Sequence, residues 1–256
     1  MISTMMWMGL TSLVGAPALA QDVDKGKALA QEYREASRGF ETETLEIEMS
    51  LIDAQGGRTV RKMKMATTET EDDGNRTHMH VVWPADVNGT RMLTWGHTDR
   101  RDDQWLYLPA LSTVKRIAGG NISASFMGSE FAFEDFQTAE VEKFEYEYVG
   151  ADTHRGRAVE QYNRIPIDKK SGYARQLVYQ DTEYLMPIRV DYYDQKNELL
   201  KVCEFSEFRK VGGYWGPQRI EMKNVQTGKS SIIVNANRKV GEELDSNLFV
   251  SQALGD

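Results

Sequence analysis

Two periods divide the apolar positions of this chain. Over 22–40, Leu29, Tyr33, Ala36 and Phe40 recur at intervals of four, three and four, so they share one face of a helix, while Lys25, Lys27, Glu32, Arg34 and Glu35 fall mostly elsewhere around it. Gly39 provides a stop. From Thr42 onward the period is two. Leu45, Ile47, Met49 and Leu51 alternate with Glu46, Glu48 and Ser50, the pattern of a strand with one buried face. Gln55-Gly56-Gly57 turns the chain, and 58–68 returns with Met63 and Met65 opposite Lys62 and Lys64, which completes a hairpin.

The same alternation predicts strands over 74–83, 88–96, 103–108, 113–117, 141–149, 154–165, 173–181, 184–194, 197–209, 213–223 and 228–239. Turn residues such as Asp72-Asp73-Gly74-Asn75, Lys169-Lys170-Ser171-Gly172 and Gly212-Gly213 bound them. Links this short force antiparallel neighbours, because a parallel pair needs a long crossover. A meander of roughly a dozen strands exceeds what a flat open sheet carries without curling. The expected fold class is therefore mainly β (α+β): a single curved antiparallel sheet forming a half-barrel, with the N-terminal helix and a central flap as its lid. The flap is 119–137, which breaks the two-residue rhythm yet holds Phe126, Met127, Phe131, Phe133 and Phe136, too much apolar area to leave in water.

The first twenty residues stand apart from this pattern. An apolar run from Met5 to Val14 precedes Ala16-Pro17-Ala18-Leu19-Ala20, in which Ala18 and Ala20 supply the small side chains of a signal-peptidase site. The run is too short to span a bilayer as a stable helix. We read 1–20 as a signal peptide cleaved after Ala20, 21–256 as one domain, and the compartment as the periplasm, with no integral membrane segment in the mature chain. The single cysteine, Cys203, lies in a strand-like run and is expected as a small core residue, since a lone Cys has no internal disulfide to form. A net charge of −8 argues against a nucleic-acid partner.

Successive blocks of the middle region resemble one family. They are Trp83-Pro84-Ala85-Asp86-Val87-Asn88-Gly89-Thr90-Arg91-Met92-Leu93, Gln104-Trp105-Leu106-Tyr107-Leu108-Pro109, Val114-Lys115-Arg116-Ile117, Ser125-Phe126-Met127-Gly128-Ser129-Glu130-Phe131 and Glu134-Asp135-Phe136, with Asp245-Ser246-Asn247-Leu248-Phe249 resembling the family's ending. The family is the LolA-like outer membrane lipoprotein-sorting proteins, of the kind often associated with exporters of the resistance-nodulation-division (RND) type. The resemblance implies a half-barrel whose concave apolar face, lidded by helices, holds the acyl chains of a lipoprotein or lipid. It implies a non-enzymatic carrier or chaperone without cofactors, with an inner-membrane exporter and an outer-membrane acceptor as possible partners.

Such carriage needs a wide apolar trough, because an acyl chain gains roughly 0.8 kcal/mol for each CH₂ removed from water. Methionine suits an irregular trough by its flexibility. The candidate lining of trough and lid is Leu29, Tyr33, Met49, Met63, Met65, Met92, Trp105, Tyr107, Phe126, Met127, Phe131 and Phe133, with Trp105-Leu106-Tyr107-Leu108 read as a strand buried on both faces. Arg116 at the mouth of the flap, pairing with Glu130 or Glu134, is the candidate latch. No catalytic or metal-ligating set is expected. His78 and His80 share one side of a strand but lack a second ligand cluster and read as a surface pair, and Ser129 lacks a nucleophile elbow. Two other roles are compatible with these residues: a fixed adaptor subunit of an RND-type export complex, and a hydrolase of envelope lipids.

Overall fold

In the computed structural model, residues 16–138 and 140–255 are described, and the side chains of 16–23 are not. The apolar run of the expected signal peptide, up to Val14, lies outside the described residues. One helix, α1 (Ala16–Ala36), precedes β1 (Thr42–Ile52), β2 (Arg58–Thr68), β3 (Arg76–Trp83), β4 (Arg91–Trp95), β5 (Asp103–Leu108), β6 (Thr113–Arg116), β7 (Phe144–His154), β8 (Arg157–Pro166), β9 (Tyr173–Asp181), β10 (Pro187–Asp194), β11 (Leu199–Val211), β12 (Tyr214–Asn224) and β13 (Ser230–Val240). All thirteen strands join one unclosed sheet in the order β6-β5-β4-β3-β2-β1-β13-β12-β11-β10-β9-β8-β7. Every pairing is antiparallel.

The sheet is two meanders rather than the one expected. The chain runs from β1 outward to the edge strand β6, crosses to the opposite edge at β7, and winds back until β13 pairs with β1. The segment 117–143 makes that crossing, which explains why it breaks the strand rhythm. A connection between two edges of a curved sheet must pass over one face, and this one passes over the concave face. It proceeds through short 3₁₀ turns at Gly119–Asn121, Phe133–Phe136 and Val141–Lys143.

Strand boundaries shift where polarity hides a strand. The predicted break after 149 is absent: β7 continues to His154 and turns at Arg155-Gly156. The added residues are largely exposed because β7 is an edge strand, so they carry no apolar alternation. At Gly212-Gly213 both residues have positive φ (59° and 95°), a turn that twists with the flanking strands and that glycine adopts without strain.

The helix starts before the predicted 22 and ends at Ala36, not Phe40. Phe40 reaches the core from the linker, 8% exposed and edge-on to Tyr214 at 6.2 Å. The buried stripe of α1 is Gly26, Leu29 and Ala30, with Tyr33 half-buried. Gly26 permits the close approach of helix and sheet, since a Cβ there would lie 3.2 Å from the Tyr148 backbone nitrogen and 3.3 Å from the Tyr146 Cβ. Gln180 on β9 donates to the Leu29 carbonyl at 2.9 Å, and Lys25 lies 3.8 Å above the Tyr148 ring while pairing with Glu160 at 3.2 Å.

Two apolar clusters occupy opposite faces. The concave face carries the larger one, from Met49, Met63, Met79, Met92, Val178, Val190, Cys203, Met222 and Ile233, capped by Leu29 and by Phe126, Phe131 and Phe133 of the crossing segment. Cys203 is 1% exposed, the small core residue expected, and burial pushes its thiol well up. The convex face carries Ala66, Leu93, Trp95, Trp105 and Tyr107, covered by the C-terminal turns through Leu248, Phe249 and Leu254. Trp95 Nε1 donates to the Phe249 carbonyl and Arg91 Nη1 to the Leu254 carbonyl, each at 2.9 Å, so polar tips of the sheet hold this strap. The family-like Asp245 begins it by accepting from the Asn247 backbone N–H at 2.9 Å.

Candidate functional site

The crossing segment is fastened to the sheet by buried polar groups. Lys201, on β11, points into the concave face and is 5% exposed at its side chain. Its Nζ donates to Asp135 Oδ2 at 2.7 Å and to the Glu130 carbonyl at 3.0 Å. Tyr173 donates its hydroxyl to the other Asp135 oxygen at 2.8 Å, and the Ala132 backbone N–H completes the set at 2.7 Å. The ammonium also lies 5.0 and 5.2 Å from the Tyr173 and Tyr192 ring centroids. Glu134 faces the other way and accepts from the Ser171 hydroxyl (2.7 Å) and the Gly172 N–H (2.9 Å); its burial raises its pKa. Glu130 accepts from Asn224 at 2.8 Å.

The expected latch through Arg116 is therefore corrected. Arg116 pairs with Asp103 on the neighbouring strand, with 63% of its side chain exposed, and reaches neither Glu130 nor Glu134. Lys201 takes the role instead. Alternation puts Lys201 on the face of Cys203, two residues on, but a lysine there carries no sign of burial; only the curvature of the sheet brings it beneath Asp135.

Beside this fastened core the concave face opens into a cavity of about 670 Å³. Its walls come from the C-terminal end of α1 (Tyr33, Arg34), the linker to β1 (Arg38, Phe40), the crossing segment (Ile122, Glu134, Lys143) and the sheet itself (Arg164, Gln176, Val190, Tyr192, Phe205). Its rim is tied by ion pairs between elements. Arg34 holds Glu142 at 3.1 Å, Arg38 holds Glu140 at 3.0 Å, and Arg101 holds Asp168 through two bonds of 2.5 and 2.7 Å. Lys143 pairs with Asp102, whose side chain is fully buried and also accepts from the Thr138 N–H at 2.7 Å and the His97 N–H at 3.0 Å.

The expected lining residues fall into three places. Leu29, Met49, Met63, Met92, Phe126, Phe131 and Phe133 are all in the concave cluster at 8% exposure or less, with Met65 and Met127 packed against it. They form a filled core, with Phe126 edge-on to Phe136 at 4.9 Å and to Phe133 at 5.7 Å. Tyr33 alone of the twelve lines the cavity. Trp105 and Tyr107 are on the convex face, against the C-terminal strap. β5 is indeed covered on both sides, but alternation sends Leu106 to the concave cluster and its two aromatic neighbours away from it. The wall residues Arg164, Gln176, Tyr192 and Phe205 carried no sequence signal beyond strand alternation.

The histidine pair is also corrected. His78 is 8% exposed on the convex face, beside a second cavity of about 350 Å³ that it shares with His80, Lys64, Leu244 and Leu248. Burial, with the positive neighbours His80 and Arg91, lowers its pKa to about 4. Among the described residues no group of three or more His, Cys, Asp or Glu side chains is placed to hold a metal ion.

Comparison with known proteins places this architecture. A domain from Vibrio parahaemolyticus classed with outer membrane lipoprotein-sorting proteins is 37% identical, superposes with a TM-score of 0.89, and aligns over 91% of this chain and 100% of its own. The chain belongs to the LolA-like outer membrane lipoprotein-sorting family. A DUF1329 family protein from Desulfovibrio piger shares 30% identity and a TM-score of 0.86 over 91% of this chain and 99% of its own. A LolA superfamily protein from Nitrosomonas europaea, 15% identical with a TM-score of 0.70 over 88% of this chain and 97% of its own, shares the fold. A family model described as an uncharacterized protein matches residues 73–256. No curated protein matches in sequence. Within this LolA-like frame the helix and the crossing segment cover the concave face of the curved sheet. No helix among the described residues is long and apolar enough to cross a membrane.

Proposed function

We propose that the protein is exported, loses residues 1–20, and acts in the periplasm as a carrier or chaperone whose single LolA-like domain, 21–256, shelters lipoprotein acyl chains or another lipid on the way to the outer membrane. The cavity of about 670 Å³ between α1, the concave face and the crossing segment carries this reading. It is within the size range of small-ligand sites. It is open although the adjacent Met and Phe core is packed solid, and Phe40, Val190 and Phe205 give it apolar wall. Each CH₂ sheltered against those walls gains roughly 0.8 kcal/mol. An inner-membrane exporter would deliver the cargo and an outer-membrane acceptor would receive it.

Native mass spectrometry and lipid extraction of the protein purified from the periplasm test the proposal. A co-purifying lipid or acylated peptide is the expected result. An empty protein that also fails to bind a hydrophobic fluorescent probe would overturn it; stoichiometric recovery of an exporter with the cavity empty would make the chain an adaptor instead.

A further inference from the structure

The polar groups of the cavity are not equivalent. Arg34, Arg38, Arg101 and Lys143 are each spent on a carboxylate, and the lining Arg100 pairs with Asp103 at 3.4 Å. Arg164 is the exception: among the described residues no carboxylate lies within 4.0 Å of it. It is nevertheless held in place. Its Nε donates to Gln176 Oε1 at 2.5 Å, and its guanidinium lies 5.1 Å from the Phe144 ring centroid. Gln176 is itself 6% exposed, so the anchor is rigid. The terminal nitrogens of Arg164 make no hydrogen bond among the described residues, and they are not among the sealed polar atoms, so they open onto the cavity.

Two hydroxyls share this property. Tyr33, from α1, and Tyr192, from β10, line the same cavity, and neither hydroxyl has a hydrogen-bond partner among the described residues. Burial raises the pKa of both, which keeps them as O–H donors at neutral pH. The Arg164 charge acts on both hydroxyls. The nearest lining carboxylates are directed elsewhere: Asp135 is paired with Lys201 and bonded by Tyr173, and Glu134 turns its oxygens to the Ser171 hydroxyl and the Gly172 N–H. Asp99, the remaining unpaired acid of the lining, is on an exposed turn.

Resting on the carrier reading, we infer that Arg164, with the hydroxyls of Tyr33 and Tyr192, seats the oxyanion of an anionic amphiphile, a carboxylate or phosphate whose aliphatic chain lies along Phe40, Val190 and Phe205. A guanidinium facing a partly desolvated cavity without a counter-charge is costly, and two oxygens of a carboxylate or phosphate offer it two charge-assisted bonds. The site thus discriminates by charge as well as by apolar area. A neutral ester or glyceride fills the apolar wall but leaves Arg164 unanswered.

Fluorescence titration of the full chain with cis-parinaric acid and with its methyl ester tests this. The acid is expected to bind about tenfold or more tightly, and the preference to disappear in Arg164→Gln while Arg164→Lys keeps part of it. Displacement by palmitate or by lysophosphatidylglycerol then identifies the carboxylate or the phosphate. Equal affinity of wild-type protein for acid and ester overturns the inference and leaves the carrier intact, a comparison that needs no variant to fold. Binding of neither probe overturns the carrier reading itself.

Discussion

Two regions of one concave face have opposite fates. Over β1–β4 and β12–β13, Met49, Met63, Met79, Met92 and Met222 are 2% exposed or less beneath Phe126, Phe131 and Phe133. Over β8–β11, Arg164, Gln176, Tyr192 and Phe205 line the cavity. The lid decides the difference. The crossing segment contributes aromatic volume that interdigitates with the methionines, and Lys201, Asp135 and Tyr173 hold it down. The helix packs on β7 and β8 through Gly26, Leu29 and Ala30 and is tied to the rim by charged side chains, so it bridges the neighbouring strands without filling the space above them. Methionine richness, taken alone as a sign of a ligand trough, marks the filled region here; Tyr33, Arg164 and Phe205 are among the residues that line the open one.

The largest break in this comparison is expected from the buried latch. Lys201→Ala leaves Asp135 charged and unpaired under the crossing segment and should cost about 3–5 kcal/mol in urea unfolding. The double change Asp135→Leu with Lys201→Met should recover much of that loss; if the double variant is no more stable than the single one, the pair is not what fastens the segment. Met49→Ala, in the filled region, should cost about 2–5 kcal/mol by leaving a void, whereas Tyr192→Phe, in the open region, should cost under about 1 kcal/mol because its hydroxyl has no partner to lose. Similar unfolding midpoints for those two variants would erase the distinction between the regions.

The convex face supplies a control on pH. His78 has its pKa lowered to about 4 in the folded chain against an ordinary value of 6.5, so the unfolded state binds the proton first. The stability it contributes is complete above pH 6.5 and is lost as pH falls toward 4, by something on the order of 3 kcal/mol. Chemical denaturation of wild type and His78→Gln at pH 7.5 and 4.5 measures it: the gap between the two should move in favour of the variant at the lower pH. The smallest effect belongs to Arg116→Ala. An exposed pair with Asp103 is worth under about 1 kcal/mol, and protease accessibility of the crossing segment should not change.

The strands were legible because burial on one face writes itself into every second residue. Leu45-Glu46-Ile47-Glu48-Met49 and Arg61-Lys62-Met63-Lys64-Met65 announce both the period and the face, and the observed register sets Ile47 opposite Met63. The edge strand β7 was less legible in its second half, where no face is buried and no pattern is required. The candidate site was legible in part: Tyr33 and the burial of the crossing segment came from apolar spacing, and Arg164 and Lys201 did not. A charged residue in a strand looks the same in sequence whether it meets water or a cavity.

By itself, then, the sequence determined the local periods, the antiparallel order forced by short links, and the aromatic segment that had to be buried. Only the tertiary structure decided that β13 returns to pair with β1, that 117–143 joins the two edges of the sheet, and that Trp105 and Tyr107 face the C-terminal strap. It also decided where the concave face stays empty. Alternation says which residues share a face of a strand, but which face is concave, and what volume remains under a lid, depends on how strands distant in sequence curve around the same space.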